Sequence, residues 1–357
     1  MFEIYKDKRV LITGNTGFKG SWLSIWLKML GAKVFGLSNN IPTSPSHFIV
    51  AGMKDRIEYF EKDVRYLNDV KAVIDYVKPA FVFHLAAQPI VRLSYANPTL
   101  TIETNTIGTM NILEALRETN HKCSAIMITS DKCYRNNEWV YGYRETDTLG
   151  GEDPYSASKG AAELIIRSYA KSFFENGDSN VKVVSTRAGN VIGGGDWRED
   201  RIVPDCIRAW SKDKEVVIRS PFSTRPWQHV LEPLSGYLLL GEKLYENQKL
   251  NGESFNFGPN SNQNYTVSDL IKEMQKYWKG DIEIKQSPDN QKKESSLLKL
   301  CCDKAQHLLC WYPTLNFQES VKFTVEWYWE YYNRNIDIYD LSCYQIRQYN
   351  GLLEERR

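Results

Sequence analysis

The chain has 357 residues, of which 42% are hydrophobic and 25% are charged. This composition is typical of a globular protein and excludes a disordered chain, a collagen-like fibre and a coiled coil. The formal net charge is +1, so no long-range field favours nucleic acid or an anionic membrane as a partner. At about 150 residues per domain, the length predicts two domains.

The seven cysteines include no C-x-x-C pair, and the five histidines show no metal-ligand spacing. We therefore expect reduced thiols and no metal site. The N-terminus carries charges where a signal peptide has its apolar region. No stretch approaches 18 consecutive apolar residues, so no transmembrane helix is predicted. Together these features predict a cytoplasmic protein.

Short apolar runs alternate with helical patterns over the first half of the chain. The run from Arg9 to Thr13 ends at a glycine and indicates a buried strand. Further strands are predicted at 33–37, 57–60, 81–85, 124–130 and 181–186. Helices are predicted at 18–30, 68–77, 101–118 and 154–174. This alternation predicts an α/β fold with a doubly wound parallel (Rossmann) sheet.

After Arg187 the alternation is lost, and prolines, tryptophans and short strands such as Glu215 to Arg219 follow. We therefore predict a smaller domain that interleaves with the sheet domain. The sheet domain is assigned to 1–187 plus about 226–258, and the smaller domain to 188–225 plus about 259–357. Phe317 to Tyr331 is predicted as the final large helix, with roughly the last 20 residues as a surface arm.

A glycine-rich turn, Gly14-Asn15-Thr16-Gly17-Phe18-Lys19-Gly20, links the first strand to the first helix. Its G-x-x-G-x-x-G spacing allows a tight turn, close approach of the backbone to a pyrophosphate, and close packing of the helix on the strand. The helix N-terminus adds free N–H groups and the positive end of the helix dipole. The sequence therefore predicts a dinucleotide site formed by Gly14, Thr16, Gly17, Phe18, Lys19 and Gly20.

The residues after the next strands indicate which dinucleotide binds. The second strand ends in Leu37-Ser38-Asn39-Asn40, with no acidic residue for the adenine ribose and no arginine for a 2′-phosphate. We therefore favour NAD over NADP, with Asn39 or Asn40 on the ribose hydroxyls. Further cofactor contacts are expected from Asp63, Val64, Leu85, Ala86, Ala87 and Asn105. For Asn105, an ordinary surface position is an equal alternative.

Tyr155 and Lys159 form a Tyr-x-x-x-Lys pair on one face of a predicted helix. A lysine cation near a phenol lowers the pKa of the phenol, and a phenolate can take a proton from an alcohol. Ser130, Asp131 and Lys132 end the fifth strand, and strand carboxyl ends face the ligand crevice in a doubly wound sheet. The sequence therefore predicts that these residues share one catalytic site.

Four longer segments, together with the glycine turn and Tyr-x-x-x-Lys, resemble the extended short-chain dehydrogenase/reductase family over nearly the whole chain. The segments run from His84 to Pro89, Thr129 to Tyr134, Arg187 to Trp197 and Arg225 to Val230. Within that family they resemble the nucleotide-sugar 4,6-dehydratases. The resemblance implies a lyase of deoxysugar biosynthesis, with recycled NAD as cofactor and a nucleoside diphosphate hexose as substrate.

The resemblance also implies a role for each catalytic residue. Tyr155 would deprotonate the sugar 4-hydroxyl as C4 gives a hydride to NAD, with Ser130 bonded to that oxygen and Lys159 on the nicotinamide ribose. Asp131 would protonate the departing 6-hydroxyl while a base removes the C5 proton, and the hydride would return to C6. Most such enzymes use a glutamate base, whereas this chain has Lys132. Lys132 is either a deprotonated base or a cation that stabilises the enolate.

The same resemblance implies where the substrate binds and how the chain assembles. Arg187, Asn190 and Arg225 match family positions at the diphosphate, with packing as the alternative role for each arginine. Gln88 and Asn260 are candidates for sugar or nucleotide contacts. The two long helices, at about 101–118 and 154–174, match those that pair family dimers into a four-helix bundle, so a homodimer is expected.

Two other functions fit part of the pattern. A nucleotide-sugar 4-epimerase would share Tyr155, Lys159 and NAD, but it needs no acid–base pair such as Asp131 and Lys132 for elimination. A catalytically inactive NAD-binding scaffold would not need the intact set of Ser130, Tyr155 and Lys159. The epimerase therefore leaves Asp131 and Lys132 without a role, and the inactive scaffold leaves the catalytic set without one.

Overall fold

The structure is a computed structural model that describes residues 1–175, 179–218, 220–260, 263–278, 284–286 and 297–356. In chain order its strands are β1 Arg9–Thr13, β2 Lys33–Ser38, β3 Glu58–Glu61, β4 Phe81–His84, β5 Cys123–Ile128, β6 Val181–Ala188, β7 Val191–Ile192, β8 Val216–Ile218, β9 Thr224–Arg225, β10 Gln228–His229, β11 Ser254–Phe257, β12 Tyr265–Thr266 and β13 Ile284–Gln286. The central sheet has seven strands in the order β11-β6-β5-β4-β1-β2-β3. All of its pairs are parallel, which confirms the predicted parallel sheet.

Helices cover both faces of this sheet. They are α1 Phe18–Met29, α2 His47–Val50, α3 Leu67–Val77, α4 Val91–Ala96, α5 Pro98–Ile102, α6 Gly108–Arg117, α7 Pro154–Tyr169, α8 Ile202–Trp210, α9 Leu231–Glu246, α10 Val267–Tyr277, α11 Asp303–Leu309, α12 Phe317–Asn333 and α13 Ile338–Glu355. Within the described ranges, no helix is both long and apolar enough to cross a membrane.

The two faces of the sheet have separate hydrophobic cores. Along β1, Val10 and Ile12 belong to one core and Leu11 to the other, because neighbouring side chains on a strand point to opposite faces. Helices α1 and α9 contribute to the first core, whereas α3 and α6 contribute to the second. This double cover confirms the doubly wound architecture and places the carboxyl ends of β1, β4 and β5 along one edge.

The two long predicted helices form, but each contains a π-helical turn. The first consists of α5, a π turn at Glu103–Ile107, and α6. The second consists of α7 followed by a π turn at Ala170–Phe174. Asn105 lies in the first π turn and is only 1% exposed. Such turns often mark functional positions, because they redirect side chains out of the regular helical pattern.

Beyond β6 the chain forms three two-stranded sheets, β10-β7, β12-β9 and β13-β8. The predicted strand at 215–219 corresponds to β8, although residue 219 lies outside the described residues. Strand β11 then returns to the edge of the central sheet beside β6. This return follows the predicted order, while the domain boundaries themselves stay a prediction.

The prediction of a surface arm at the C-terminus was wrong, because the segment forms α13 and packs on α1. Trp26 of α1 and Tyr349 of α13 meet edge to face, with ring centroids 5.7 Å apart. The buried residues of α13 recur three or four positions apart and include Ser342, Cys343, Ile346, Tyr349 and Leu353. They form one apolar face, while the charged residues that indicated an arm occupy the other.

Candidate active site

The glycine turn is a compact loop between β1 and α1. Gly14 has a φ of +74°, and a Cβ added there would lie 2.8 Å from the Ala86 backbone nitrogen. A Cβ on Gly20 would lie 2.1 Å from the Gly14 carbonyl oxygen. Gly17 is the N-cap of α1 and makes no side-chain cap, so no capping side chain covers the first-turn N–H groups. The turn therefore fits the pyrophosphate of a dinucleotide.

Two side chains attach the turn to neighbouring segments. The Thr16 hydroxyl donates to the Asn40 carbonyl at 2.7 Å, beyond the end of β2. A Cβ on Gly193 would lie 3.1 Å from the Phe18 ring, so Phe18 packs against that backbone. These contacts fix the loop through the protein's own residues.

The residues predicted for the adenosine end form one cluster. Asp63 accepts hydrogen bonds from Asn39 Nδ2 at 3.1 Å and from the Arg65 guanidinium at 2.7 Å. Burial opposes the effect, but these bonds and the Arg65 charge lower the pKa of Asp63. Val64 is buried, and a Cβ on Gly108 would lie 2.8 Å from its side chain. The structure thus brings Asn39 and Asp63 together and adds Arg65, which no motif indicated.

Asn105 and Gln88 brace the loop that follows β4. The Asn105 amide accepts from Gln88 N at 2.8 Å, and it donates to Gln88 O at 3.1 Å and Ser158 Oγ at 2.9 Å. The Gln88 side chain donates to Thr101 Oγ1 at 2.8 Å and accepts from Ile90 N at 2.6 Å. Asn105 is therefore a buried support, and the Gln88 amide is committed to the interior, which does not fit its predicted substrate contact. The loop carries three partly exposed residues expected beside the cofactor: Leu85, Ala86 and Ala87.

Ser130, Asp131 and Tyr155 meet at the carboxyl end of β5. Asp153 caps α7 by accepting from Ser156 N at 2.9 Å, which starts the helix next to Tyr155. The Ser130 hydroxyl lies close enough to the Tyr155 phenol to lower the pKa of that phenol. The Ser130 hydroxyl donates to Asp131 Oδ1 at 2.9 Å. One serine hydroxyl thus lies between a phenol and a carboxyl group.

Burial changes the pKa values of Tyr155 and Asp131. It raises the pKa of Tyr155 to about 12, although the Ser130 hydrogen bond works in the other direction. It also raises the pKa of Asp131, against the charges of Lys132 and Lys19. Asp131 Oδ2 is buried and has no hydrogen-bond partner among the described residues. A carboxyl group that holds its proton more firmly than usual is suited to act as a general acid.

Arg201 is the cation whose charge lowers the pKa of Tyr155 in this structure. Lys159, which the spacing predicted for that role, is not among the groups that shift the Tyr155 pKa most. Burial lowers the pKa of Lys159 to about 8, and the nearby Glu163 charge raises it. Arg201 lies just before α8 and donates to Asp196 at 2.6 Å. The spacing therefore identified the correct face of α7 but missed the cation contributed by another segment.

Two further lysines lie around Asp131. Lys19, predicted as a cofactor ligand, is partly exposed in the first turn of α1, and its charge interacts with those of Asp131, Lys159 and Arg201. Burial lowers the pKa of Lys19 to about 8. Lys132 is partly buried in the turn after Ser130, and its N–H donates to Ser130 Oγ at 3.2 Å. The centre is therefore richer in cations than the motifs alone indicated.

The environment of Arg187 does not fit its predicted contact with the diphosphate. Arg187 is 2% exposed and forms an ion pair with Glu163 at 2.7 Å. Its guanidinium also donates to the Tyr134 hydroxyl at 2.7 Å and the Glu145 carbonyl at 3.1 Å. The alternative of an internal role is thus the one that matches the structure.

The other predicted substrate residues lie on or near the small sheets. Arg225 in β9 donates to the Thr224 carbonyl at 2.8 Å. Asn190 is partly exposed between β6 and β7, and its carbonyl accepts from Gln228 N at 3.2 Å. Asn260 is exposed and lies next to residues outside the described ranges. These positions are compatible with substrate contacts, which stay a prediction.

Arg198 and Arg201 form a cationic pair that no motif indicated. Both are partly exposed, and burial together with the Arg201 charge lowers the pKa of Arg198. Arg201 is the N-cap residue of α8 and makes no side-chain cap there. Two guanidinium groups at an open helix N-terminus, one of them acting on Tyr155, provide an arrangement suited to phosphate oxygens.

Comparisons with known proteins show the family to which the chain belongs. A family model described as GDP-mannose 4,6 dehydratase matches residues 11–324. CDP-glucose 4,6-dehydratase of Salmonella typhimurium is 44% identical over 329 residues, which cover 91% of this chain and 92% of that protein. CDP-paratose 2-epimerase of Salmonella typhi is 27% identical over 351 residues, with coverage of 89% and 98%.

Solved structures share the fold. UDP-glucose 4-epimerase of Thermotoga maritima, crystallised with UDP-glucose, aligns with a TM-score of 0.76 at 25% identity and covers 89% of this chain and 97% of that chain. A dTDP-glucose 4,6-dehydratase of Bacillus anthracis in complex with NAD aligns with a TM-score of 0.72 at 20% identity, with coverage of 90% and 96%. The same architecture thus occurs in both epimerases and dehydratases.

Proposed function

This chain belongs to the GDP-mannose 4,6-dehydratase family, and we propose that within it the protein is an NAD-dependent lyase that converts CDP-D-glucose to CDP-4-keto-6-deoxy-D-glucose and water. The observation that carries the proposal is the grouping of Tyr155, Ser130 and Asp131, in which Ser130 is bonded to a buried carboxyl group and lowers the pKa of the phenol. Oxidation of an alcohol needs the phenol, and loss of water needs the acid. The 44% identical relative supports the choice of the cytidine nucleotide.

Bound NAD would supply the hydride acceptor for C4 and the hydride donor for C6. The turn from Gly14 to Gly20 would hold its pyrophosphate. The turn can be this tight because a Cβ at Gly14 or Gly20 would clash with neighbouring backbone atoms. Asn39 and Asp63 would bind the adenosine end. Lys159 would bind the nicotinamide ribose from the centre of the crevice.

In the oxidation step, Tyr155 takes the proton from the sugar 4-hydroxyl and Ser130 holds the same oxygen. Burial raises the pKa of Tyr155 to about 12, so the phenol needs a cation to accept this role near neutral pH. Arg201 is placed to assist, since its charge acts on Tyr155. The proton thus moves within a group of residues that already contact one another.

In the elimination step, Asp131 gives its proton to the 6-oxygen and water leaves. The 4-keto group acidifies the C5 proton, and a base must take that proton as the 6-oxygen leaves. Lys132 follows Asp131 directly and is either this base or a cation that stabilises the enolate while another group takes the proton. The hydride would then return to C6 as a proton returns to C5. A 4-epimerase needs no such acid, and for this reason the raised pKa of Asp131 favours the dehydratase.

The substrate diphosphate would lie against Arg198 and Arg201 at the start of α8. Both residues are partly exposed, the Arg201 charge acts on the catalytic phenol, and the Arg198 and Arg201 charges act on each other. Asn190 and Arg225 would contribute from the adjacent small sheets. Arg187 is left out of this set, because it is buried and both of its Nη groups donate inside the protein.

The function is tested by incubating the purified protein separately with CDP-, dTDP-, GDP- and UDP-glucose. We expect only the CDP sugar to lose the mass of one water and to give a 4-keto product that absorbs in alkali. The protein should also release NAD on denaturation, since the cofactor is regenerated in each cycle. A product of unchanged mass with inverted C4 would identify an epimerase, and absence of turnover on all four sugars would overturn the proposal.

We further infer that two copies pair through the long helices. These helices leave several large apolar side chains exposed: Ile102 at 45%, Ile107 at 36%, Leu164 at 58% and Phe173 at 44%. A second copy with the same surface would cover them. Light scattering should show a dimer that Leu164→Arg converts to a monomer, while Ile49→Arg, at a similarly exposed site on α2, leaves the dimer intact. A wild-type monomer would exclude the pairing.

A further inference from the structure

Glu163 is a buried carboxylate one helical turn beyond Lys159 on α7. It is 3% exposed, and both of its oxygens are hydrogen-bonded. Oε1 accepts from Thr129 Oγ1, while Oε2 accepts from Ser185 Oγ at 2.8 Å and Arg187 Nη2 at 2.7 Å. A charge at this depth is costly unless it is paired and hydrogen-bonded. The three donors therefore keep the Glu163 carboxylate ionised and fixed.

Arg187 fixes the carboxylate from the far side. Its guanidinium is also bonded to the Tyr134 hydroxyl and the Glu145 carbonyl, and it stacks 4.8 Å from the Tyr134 ring centroid. These contacts hold the Arg187 guanidinium in one position inside the protein. Its position makes it the partner of Glu163 and not of a substrate phosphate.

Lys159 lies one helical turn before Glu163 on α7, and the Glu163 charge acts on it. The two residues are four positions apart on α7 and therefore share one helix face, and Lys159 is 5% exposed. Within the described residues, Nζ of Lys159 makes neither a hydrogen bond nor an ion pair within 4.0 Å. Its three N–H donors thus point to a ligand, while Glu163 acts on its charge from a short distance.

We propose that Glu163, clamped by Arg187, is the positioning residue that keeps the Lys159 ammonium charged and oriented toward the cofactor ribose. This inference rests on the proposed function, since that function gives Lys159 its ligand. A direct contact pair would occupy the N–H donors of Lys159. An anion that is held back by Arg187 stabilises the charge and leaves those donors available.

The other titratable groups that face Lys159 do not supply this anion. Burial raises the pKa of the Cys133 thiol well above its ordinary range, so this thiol is neutral. Burial lowers the pKa of His84 in β4 to about 3, so this imidazole is also neutral. Lys19 in α1 is a cation and disfavours a second positive charge. Of these groups, only Glu163 is negative at neutral pH.

The direction of the effect follows from these charges. Burial lowers the pKa of Lys159 to about 8, and Glu163 opposes this shift. Removal of the Glu163 charge would lower the Lys159 pKa further, so the ammonium would lose its proton at a lower pH. Cofactor affinity that depends on the charged lysine would then fall at a lower pH as well.

The test is the pH dependence of NAD affinity, measured by calorimetry without any sugar nucleotide. We expect the wild-type affinity to fall as pH rises through the Lys159 pKa. In Glu163→Gln the midpoint should be about one pH unit lower, which is the smaller end of the shift that an opposite charge at this range produces. Glu163→Asp keeps the charge and should restore most of the difference. Because no sugar is present, the result stands even if CDP-glucose proves not to be the substrate.

A matched control separates charge from stability. Glu232→Gln replaces another buried carboxyl group, 1% exposed, on α9 among Thr314, Leu315 and Tyr349, where burial raises the pKa to about 7. It alters the acceptor for the hydrogen bonds from these residues and should change the melting temperature without moving the midpoint of the NAD affinity. If Glu163→Gln alone does not fold, the double variant Glu163→Gln/Arg187→Gln leaves no unpaired buried charge and should show the same lowered midpoint. An unchanged midpoint in the folded variant would overturn the proposal.

Discussion

Ser130 donates its single hydroxyl proton to Asp131 at 2.9 Å. The bond joins the residue that holds the sugar oxygen during oxidation to the acid of the elimination. Ser130 cannot donate to Asp131 and to a sugar oxygen at the same time. If Asp131 carries a proton, as its raised pKa favours, it can donate to Ser130 and release the serine proton for the substrate. Protonation of Asp131 thus prepares both steps.

The first prediction concerns Tyr155→Phe. The variant removes the proton acceptor for the 4-hydroxyl, so the rate should fall on the order of a thousandfold, within the range of general acid–base catalysis. Stopped-flow absorbance of the reduced cofactor in a single turnover measures this step directly. Tyr141→Phe, at a 59% exposed tyrosine, is the control and should behave as wild type. A rate within tenfold of wild type would remove Tyr155 from its role.

The second prediction concerns the stability cost of the buried acid. Burial raises the pKa of Asp131 above its ordinary value, so the folded state binds this proton more tightly than the unfolded state does. The contribution of this group is favourable at low pH and is lost as pH rises through the raised pKa. Asp131→Asn cannot ionise, so it avoids the cost of a buried negative charge, although its amide still leaves a polar atom at the position of the unpartnered oxygen. It should therefore be inactive but more stable than wild type near neutral pH.

The expected gain is about 1.4 kcal/mol for each unit by which burial raises the pKa of Asp131. Melting temperatures should differ most above pH 7 and converge below about pH 4, where free aspartate is also protonated. Asp75→Asn, on the exposed face of α3, is the control and should leave the melting temperature unchanged at both high and low pH. A melting temperature for Asp131→Asn below that of wild type at pH 8 would contradict the argument.

The third prediction separates a structural arginine from a ligand-binding one. Arg187→Gln leaves the buried Glu163 unpaired and should cost about 3–5 kcal/mol of stability, with CDP affinity within threefold of wild type. Arg201→Gln removes a partly exposed guanidinium and should weaken CDP binding at least tenfold, with a smaller loss of stability. Calorimetric titration of CDP and thermal melts of both variants measure the two effects. The reverse pattern would restore Arg187 to the diphosphate site.

Most of the sheet and the catalytic line could be predicted from sequence because the signals are local. Apolar runs fixed the six strands up to β6, and the glycine spacing fixed the turn before α1. Tyr155 and Lys159 share a helix, so their spacing alone places them on one face. Ser130 and Asp131 follow a buried strand, whose carboxyl end faces the crevice.

The missed features depend on contacts between distant segments. Arg201 follows Tyr155 by 46 residues in the sequence, and no helical or strand periodicity relates the two positions. Arg187 matches a family position, but its burial against Glu163 depends on how β6 lies beneath α7. The charged residues of the terminal helix α13 indicated a surface arm. Its burial depends on the contact of Tyr349 with Trp26 of α1, which is distant in the sequence. Sequence pattern does not encode such partners.

The last prediction concerns Lys132, which is either the C5 base or a bystander cation. If Lys132 removes the C5 proton, Lys132→Ala should still oxidise C4, because Tyr155, Ser130 and Lys159 remain. Absorbance of the reduced cofactor would rise and persist, and solvent deuterium would not enter C5. If Lys132 only stabilises the enolate, the same variant should slow elimination modestly while deuterium still exchanges at C5.

Lys132→Arg distinguishes these outcomes, because arginine keeps the positive charge but cannot act as a base near neutral pH. We expect Lys132→Arg to be as defective as Lys132→Ala, since the Lys132 charge acts on Asp131 and the amine is thus near the acid with which it would act in concert. Asp131→Asn is the complementary control: it keeps Lys132, so C5 exchange should continue while loss of water slows. Deuterium incorporation measured by NMR reports removal of the C5 proton, and water loss measured by mass spectrometry reports departure of the 6-oxygen. Recovery of most of the wild-type rate in Lys132→Arg would show that charge alone suffices and would assign the C5 proton to another group.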